Sequence, residues 1–256
     1  MKLALKQFSR VPNAGDAASA LIVAALTGRE VDAIGEAPST RPNLLGVGSI
    51  LHWADERSVV WGAGLIAESI TPAAKPKAVL AVRGPLSRDR LAARGVACPD
   101  LVGDPGALLP RILPPTKRSR ESIGLAPHYV DADHPFVQGA RAAGLSVVDP
   151  TWPLPKYVET LTSCSRVISS SLHGLVFAHA YGIPAAWIRL SDRVFGHGFK
   201  YRDYYASIGV RGRAAEPLSP EENLERIVDA AATAPQPIRS DELAATLMQG
   251  LHLLDA

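Results

Sequence analysis

The chain has 256 residues, which suits one large α/β domain or two domains of about 120 residues each. Hydrophobic residues make up 47% of it and charged residues only 20%, which indicates a globular protein with a sizeable core and excludes a disordered one. Lys and Arg number 27 against 25 for Asp and Glu, and the resulting net charge of +2 gives no electrostatic case for binding nucleic acid.

Targeting signals and cysteine usage point to one compartment. The first ten residues, MKLALKQFSR, lack the apolar core and cleavage site of a signal peptide. No apolar run approaches the roughly 18–20 residues that a membrane span needs. Cys98 and Cys164 are isolated and form no CxxC motif, which is typical of a reducing environment. We therefore expect a soluble cytoplasmic protein, with peripheral attachment to a membrane left open.

The N-terminal half alternates apolar strands with turns and helices. Its predicted strands are residues 2–8, 44–50, 59–65 and 77–82. A helix is predicted over 17–26, and Asp16 before it is interpreted either as the helix cap or as a carboxylate available as a general base. Arg83 follows a strand directly, where it suits either a surface ion pair or a bidentate grip on a carboxylate or phosphate. Asp104 is interpreted as stabilising a sharp turn.

Residues 110–121 (PRILPPTKRSRE) are rich in proline and charge and are the predicted linker. A second series follows it, with strands predicted over 122–126, 145–148, 166–169 and 185–188. Ser219 with Glu222 forms a capping-box pattern, which predicts a helix that runs to about residue 232. We therefore predict two Rossmann-like domains, over 1–112 and 113–235, with a cleft between them. Leu residues spaced by three and four predict an amphipathic helix within 236–256, for which packing back on the N-terminal domain is favoured over a membrane-facing role.

The centre of the second half is the turn Ser169-Ser170-Ser171-Leu172-His173-Gly174 between a short strand and a helix. Three hydroxyls, free N–H groups at a helix start and His173 predict an anion site with a proton-transfer group. His179 lies six residues further on, off the helical face of His173, and is interpreted as a packed or hydrogen-bonded residue. Zinc-ligand spacings, GxxxxGK[ST] and GxSxG are all absent, so neither a metal nor a serine hydrolase is expected.

Several motifs together resemble the polysaccharide pyruvyl transferase family. In chain order they are NAGD at 13–16, VRGPLS at 82–87, VGDPGALLP at 102–110, GLAPHYVD at 124–131 and SSSLHGLVFAHAYGIP at 169–184. FKYRDYYASIG at 199–209 resembles the subgroup that forms pyruvate ketals on bacterial exopolysaccharides such as xanthan and succinoglycan. The resemblance covers about residues 10–210.

The resemblance implies a two-domain fold similar to GT-B glycosyltransferases. It also implies transfer of a pyruvyl group from phosphoenolpyruvate to a sugar of an exopolysaccharide repeat unit, forming a ketal and releasing phosphate. Phosphoenolpyruvate is then the donor substrate, and no metal or organic cofactor is expected. A lipid-linked saccharide acceptor would place the protein at the inner face of the cytoplasmic membrane.

Residue roles follow from that chemistry. His173 is the predicted general acid, and Asp16 is the predicted base on the sugar hydroxyl. The predicted substrate-binding residues are Asn13, Arg83, His128, Ser169, Ser170, Ser171, Leu172, Gly174, Lys200 and Arg202. Many family members carry arginine where this chain has Ser171, so another cation has to supply the charge. The candidates lie in the segment that follows, predicted as a mobile loop and a short helix, and are Arg189, Arg193, Lys200 and Arg202.

Two other functions stay open at this point. One is a nucleotide-sugar glycosyltransferase of the same two-domain architecture, since a fold alone does not fix a function. The other is a non-catalytic protein that binds a saccharide or phosphate, which the serine at position 171 favours. The joint presence of Asp16, Arg83 and His173 counts against that second alternative, because a binding protein needs no acid–base pair.

Overall fold

The computed structural model describes residues 2–115, 122–234, 236 and 238–255, and two fully parallel sheets organise them. The first sheet contains β1 (Leu3–Lys6), β2 (Val31–Ile34), β3 (Asn43–Leu45), β4 (Ser58–Trp61) and β5 (Ala78–Ala81), in the order β2-β1-β3-β4-β5. The second contains β6 (Ser122–Ala126), β7 (Ser146–Val147), β8 (Cys164–Ser169) and β9 (Ala185–Trp187), in the order β7-β6-β8-β9. Each strand pair is parallel.

Helices connect and cover these strands, as parallel pairing requires. They are α1 (Ala14–Thr27), α2 (Pro85–Ala92), α3 (Leu109–Ile112), α4 (Pro135–Ala142), α5 (Leu154–Thr162), α6 (Leu172–Ala180), α7 (Phe199–Ser207), α8 (Leu224–Asp229) and α9 (Ser240–Gly250). The predicted class, α/β with parallel sheets, is confirmed. None of the described helices is both long and apolar enough to cross a bilayer.

The order of strands creates a reversal point in each sheet. The chain leaves β1 towards β2 on one side and then returns to β3 on the other, and it leaves β6 towards β7 before returning to β8. Loops on either side of such a reversal diverge and leave a crevice at the carboxyl ends of the strands, where ligands bind in open α/β sheets. The segments after β1, β3, β6 and β8 are therefore where a site is expected.

Two predicted helix starts lie one turn away from the observed ones. Helix α1 begins at Ala14 and is capped by Asn13, whose Oδ1 accepts from the Asp16 N–H at 3.1 Å. Asp16 is therefore not the cap, and its carboxylate is free of that role. Helix α8 is capped by Asn223, not by Ser219, because the Asn223 side chain accepts from the N–H of Glu225 at 2.8 Å.

The boundaries of the predicted domains stay a prediction. Within the proposed linker, residues 110–112 belong to α3, and residues 116–121 lie outside the described part of the chain. Helix α9 packs against β5, and the indole Nε1 of Trp61 donates to the Leu243 carbonyl at 2.8 Å. The C-terminal helix therefore lies on the first sheet, with Leu243 and Leu247 fully buried.

Candidate active site

A cavity of about 350 Å³ opens at the carboxyl ends of both sheets. Its walls include the segments after β1, β3, β6 and β8, which flank the two reversal points, and the first turn of helix α7. The polar side chains predicted for the site that line it are Asn13, Asp16, His128, Ser171, His173 and Lys200. Residues separated by up to 187 positions in the sequence are thus brought to one cavity, from Asn13 to Lys200.

Asp16 lies in the first turn of α1, with only 8% of its surface exposed. The Asn13 amide donates through a short hydrogen bond to Oδ2 of Asp16. Burial raises the pKa of Asp16 to about 6, and hydrogen bonds from Asn13 and from the backbone of Phe8 oppose that rise. A carboxyl group with a pKa near 6 changes protonation close to neutral pH, which is what a general base or acid requires.

His173 lies in the first turn of α6, directly against α1. Gly15 is its neighbour there, since a β-carbon on Gly15 would lie 1.9 Å from Nδ1 of His173. Its ring stacks on Phe177 at 5.7 Å, and its Nε2 is buried without a hydrogen-bond partner among the described residues. Burial, followed by the charges of Lys200 and Arg83, lowers the pKa of His173 to about 3. The imidazole is therefore neutral at pH 7 in the free protein.

Lys200 is a buried cation in the cavity wall, 7% exposed, on the first turn of α7. Its Nζ lies 5.3 Å from the centroid of the Tyr201 ring, and within the described ranges it has neither an ion pair nor a hydrogen bond. Burial and then the positive charge of Arg83 lower the pKa of Lys200 to about 7, while Asp131 opposes the shift. An anion entering the cavity would raise the pKa of Lys200, because it favours the charged ammonium.

The other three candidate cations are engaged outside this cavity. Arg189 pairs with Asp192, Arg193 pairs with Asp133 at 2.8 Å, and Arg202 donates to the His197 carbonyl at 2.6 Å. None of the three lines the cavity. Lys200 is therefore the member of the predicted set that lines the cavity, whereas Arg202 lies outside it.

Arg83 is also placed differently from expectation. It is fully buried and does not line the cavity. Its guanidinium forms an ion pair with Asp203 at 2.9 Å, and it also donates to the Ser49 hydroxyl at 2.8 Å and to the Leu65 carbonyl at 2.7 Å. Because these acceptors belong to the protein, the guanidinium holds α7 and the β3 loop together behind the cavity wall instead of gripping a ligand directly.

The serine turn divides between structural and cavity-facing side chains. The Ser169 hydroxyl donates to the Ala126 carbonyl at 2.7 Å and accepts from the Ser171 N–H at 3.0 Å. The Ser170 hydroxyl accepts from the His128 N–H at 2.9 Å. Ser169 and Ser170 are buried, do not line the cavity and stabilise the turn through these bonds, and their contact with substrate stays a prediction.

The remaining two positions of the turn have different roles. Leu172 lines the cavity beside Ser171. Gly174 does not line it, and a β-carbon there would lie 2.2 Å from Oγ of Ser169. Gly174 therefore allows α6 to start close to the end of β8, and its contact with substrate stays a prediction.

His128 follows β6 and shares the cavity with His173. Its Nδ1 accepts from the Val130 N–H at 3.4 Å, and its ring centroid lies 4.5 Å from that of Tyr129. Burial, followed by the charges of Lys200 and His173, lowers the pKa of His128 to about 3. Both cavity histidines are thus neutral in the free protein, and Lys200 is the buried cation beside them.

Sequence reasoning missed Tyr129 and Asp203. Tyr129 lines the cavity and stacks on Phe8, with ring centroids 6.3 Å apart. Asp203, the partner of Arg83, also accepts from the Ser87 N–H at 2.9 Å. A signal for Asp203 was present, since it lies three residues after Lys200, a spacing that shares one face of a helix.

Two structural interpretations are confirmed: His179 bonds to Tyr204 and the Ala232 carbonyl, and Asp104 accepts from the Gly106 N–H.

Fold and site together define an α/β protein with a ligand cavity of mixed charge at the carboxyl ends of its strands. A family model described as polysaccharide pyruvyl transferase matches residues 54–192, more than half of the chain. The chain belongs to the polysaccharide pyruvyl transferase family, which is a family of transferases. It is also similar to the uncharacterized protein L143 of Acanthamoeba polyphaga mimivirus, with 29% identity over 219 residues covering 79% of this chain and 73% of that protein. The family match includes His128 and His173 but neither Asp16 nor Lys200.

Proposed function

We propose that this protein transfers the pyruvyl group of phosphoenolpyruvate to two hydroxyls of one sugar in an exopolysaccharide repeat unit, forming a cyclic ketal and releasing phosphate. The observation that carries the proposal is Lys200, a buried ammonium without an anionic partner among the described residues, in the same cavity as Asp16 and His173. Family membership supports the reaction type.

The donor carries a carboxylate and a phosphate, so its site needs positive charge and N–H donors. Lys200 supplies the charge from α7, and Ser171 supplies a hydroxyl at the start of α6. In this arrangement Lys200 replaces the arginine that many relatives have at position 171. The replacement comes from a different element of the fold but faces the same cavity.

Proton transfers complete the chemistry. His173 protonates the methylene carbon of the donor, which leaves positive charge on the central carbon, and Asp16 removes the proton from the first sugar hydroxyl as its oxygen attacks. The bond between the central carbon and the phosphate oxygen then breaks and releases phosphate. The second sugar hydroxyl attacks the same carbon and closes the ketal ring. The two sugar hydroxyls release two protons. One compensates for the proton that His173 gave to the methylene carbon, and the other leaves on the phosphate. His173 is neutral in the free protein, so its proton is acquired when the donor's negative charges raise its pKa.

We also propose a GT-B-like arrangement, with the cavity as the cleft between the two predicted domains. The two parallel sheets, each with its own reversal point at the cavity, support it. A lipid-linked acceptor and peripheral association with the inner face of the cytoplasmic membrane belong to the same proposal.

The test incubates the purified protein with phosphoenolpyruvate and oligosaccharides that end in glucose, galactose or mannose. Phosphate release and the methyl signal of the pyruvate ketal should appear in equal amounts. His173→Ala and Asp16→Asn should each lower kcat by about 10²–10⁴-fold while leaving the fold intact. Absence of both products with every acceptor would overturn the proposal. Thermal protection by UDP or GDP, with none by phosphoenolpyruvate, would instead identify a nucleotide-sugar glycosyltransferase.

A further inference from the structure

Phe195 is an exposed aromatic side chain in the wall of the candidate active site. It is 59% exposed and lines the same cavity as Lys200 and His173. Over the described part of the chain, Met248 on α9 is the other large hydrophobic side chain with comparable exposure, at 47%, and it does not line the cavity. A phenylalanine ring left in water does not gain the favourable free energy of burial. Exposed apolar surface beside a pocket is typical of a binding surface.

The backbone after Phe195 holds it at the cavity. Gly196, His197 and Gly198 have φ values of 96°, 47° and 82°, so three successive residues are left-handed. His197 is the non-glycine residue among them, and such a conformation costs of order 1 kcal/mol and concentrates at functional sites. A β-carbon on Gly196 would lie 2.0 Å from the Ile66 carbonyl oxygen, so this loop docks directly on the first half of the chain. The residue that follows Phe195 is therefore fixed against Ile66, and Phe195 and Ile66 both line the cavity.

The surroundings of Phe195 combine apolar faces with groups that bond hydroxyls. The apolar part of the lining includes Phe8, Ile50, Trp53, Ile66, Ile70 and Phe195. Arg10, Glu36 and His52 line the same cavity, and Arg10 and Glu36 are exposed and pair at 2.7 Å. A pyranose ring has the matching chemistry, with an apolar C–H face and hydroxyls around its edge. Its C–H bonds carry slight positive charge, which the electron-rich face of an aromatic ring attracts.

We propose that a pyranose ring of the acceptor saccharide stacks on Phe195 at the mouth of the cavity, with its hydroxyls bonded to the charged groups of the rim. This inference rests on the proposed function and identifies a residue that binds the acceptor. The donor occupies the buried part of the cavity, around Lys200. Phe195 thus determines acceptor affinity and leaves the donor site unchanged.

Binding of oligosaccharides tests this without relying on turnover. Titrations with and without phosphoenolpyruvate should give a Kd for the saccharide about tenfold higher in Phe195→Ala than in the wild type. Phe195→Trp should restore affinity, because the larger ring keeps the stacking face. Met248→Ala is the matched control and should behave as the wild type. Donor affinity should be the same in all four proteins.

Three outcomes would overturn the inference. The first is an unchanged saccharide Kd in Phe195→Ala, or no saccharide binding by the wild type. The second is a loss of donor affinity in the same variant, which would assign Phe195 to the donor site. The third is reduced binding to phosphatidylglycerol vesicles with normal saccharide binding, which would assign it to a membrane surface. A wild type that binds saccharide but never releases phosphate would contradict the proposed function while leaving this inference standing.

Discussion

Gly15 and His173 are in direct contact, and the contact depends on the missing side chain of Gly15. A β-carbon there would lie 1.9 Å from Nδ1 of His173, far inside van der Waals distance. Gly15 is buried in the first turn of α1 next to Asp16, and His173 is in the first turn of α6. The glycine therefore allows two helices that follow different sheets to bring the two proton-transfer candidates into one cavity.

Gly15→Ala should lower enzymatic activity more than it lowers the stability of the fold. The added methyl group forces His173 out of place or separates the two helices, at a cost of about 1–3 kcal/mol in the free energy of unfolding. We expect phosphoenolpyruvate-dependent phosphate release to fall at least tenfold. Gly139→Ala is the control, because nothing lies within 4 Å of a β-carbon at that position in α4 and alanine favours helices. Wild-type activity in Gly15→Ala would contradict the assigned role of His173.

Lys200→Met should weaken donor binding with little effect on the fold. The variant removes a charge that has no partner among the described residues, and methionine keeps most of the apolar volume. We expect the KM for phosphoenolpyruvate to rise at least tenfold, since hydrogen bonds to charged groups contribute about 1.5–3 kcal/mol. Arg202→Met is the matched control on the same helix, because its guanidinium bonds to the His197 carbonyl outside the cavity. Equal effects in both variants would show that general surface charge attracts the donor.

Donor binding should take up a proton at pH 8. Because the pKa of Lys200 is about 7 in the free protein, its amine is mostly neutral at pH 8. A bound anion favours the ammonium form and raises that pKa, so close to one proton enters with the donor. By the same linkage, donor affinity should fall as pH rises above 7, up to about tenfold per pH unit. Calorimetry in buffers of different ionisation enthalpy measures the uptake.

The same calorimetry with Lys200→Met supplies the control for proton uptake. The variant should take up about one proton fewer than the wild type at pH 8, because the proton that His173 acquires is present in both. Arg202→Met should match the wild type. Equal uptake in Lys200→Met and the wild type would show that Lys200 does not titrate when the donor binds.

Arg83→Met should lower the free energy of unfolding while changing donor affinity much less. Arg83 and Asp203 are both fully buried, and removing one partner leaves a buried carboxylate without its ion pair. We expect a loss of about 3–5 kcal/mol in the free energy of unfolding, measured by urea denaturation. Combining the change with Asp203→Leu should recover part of the loss, because no unpaired charge is then buried.

A surface arginine provides the comparison for Arg83. Arg88 pairs with Asp89 and Asp100 at 3.4 and 3.3 Å near the protein surface, so Arg88→Met should stay within about 0.5 kcal/mol of the wild type. If Arg83→Met kept full stability but lost donor binding, the result would show that the guanidinium binds the donor anion directly.

Much of the fold follows from local sequence patterns. Short apolar runs ending in Gly, Pro, Asn or Asp predict buried parallel strands, and β1, β5, β6 and β8 lie where those patterns place them. Strand β2 went unpredicted because Asp32 interrupts the apolar run Val31–Ile34, whereas β5 lies within an unbroken apolar stretch. The run over 44–50 predicts one strand, yet β3 ends at Leu45 because the glycines that follow turn the chain into the cavity wall.

The sequence by itself determined the α/β class with parallel strands and the proton-transfer candidates Asp16 and His173. The class is confirmed because strand ends, helix starts and turn residues are encoded within a few neighbouring positions, whereas the roles of Asp16 and His173 stay a prediction. Only the tertiary structure decided which of the predicted cations lines the cavity without a partner. Arg83 and Lys200 are both predicted to bind the substrate, but Asp203, 120 positions beyond Arg83, pairs with the arginine and leaves the lysine unpaired among the described residues. Such a choice depends on how α7 packs against α2, and long-range packing has no local sequence signature.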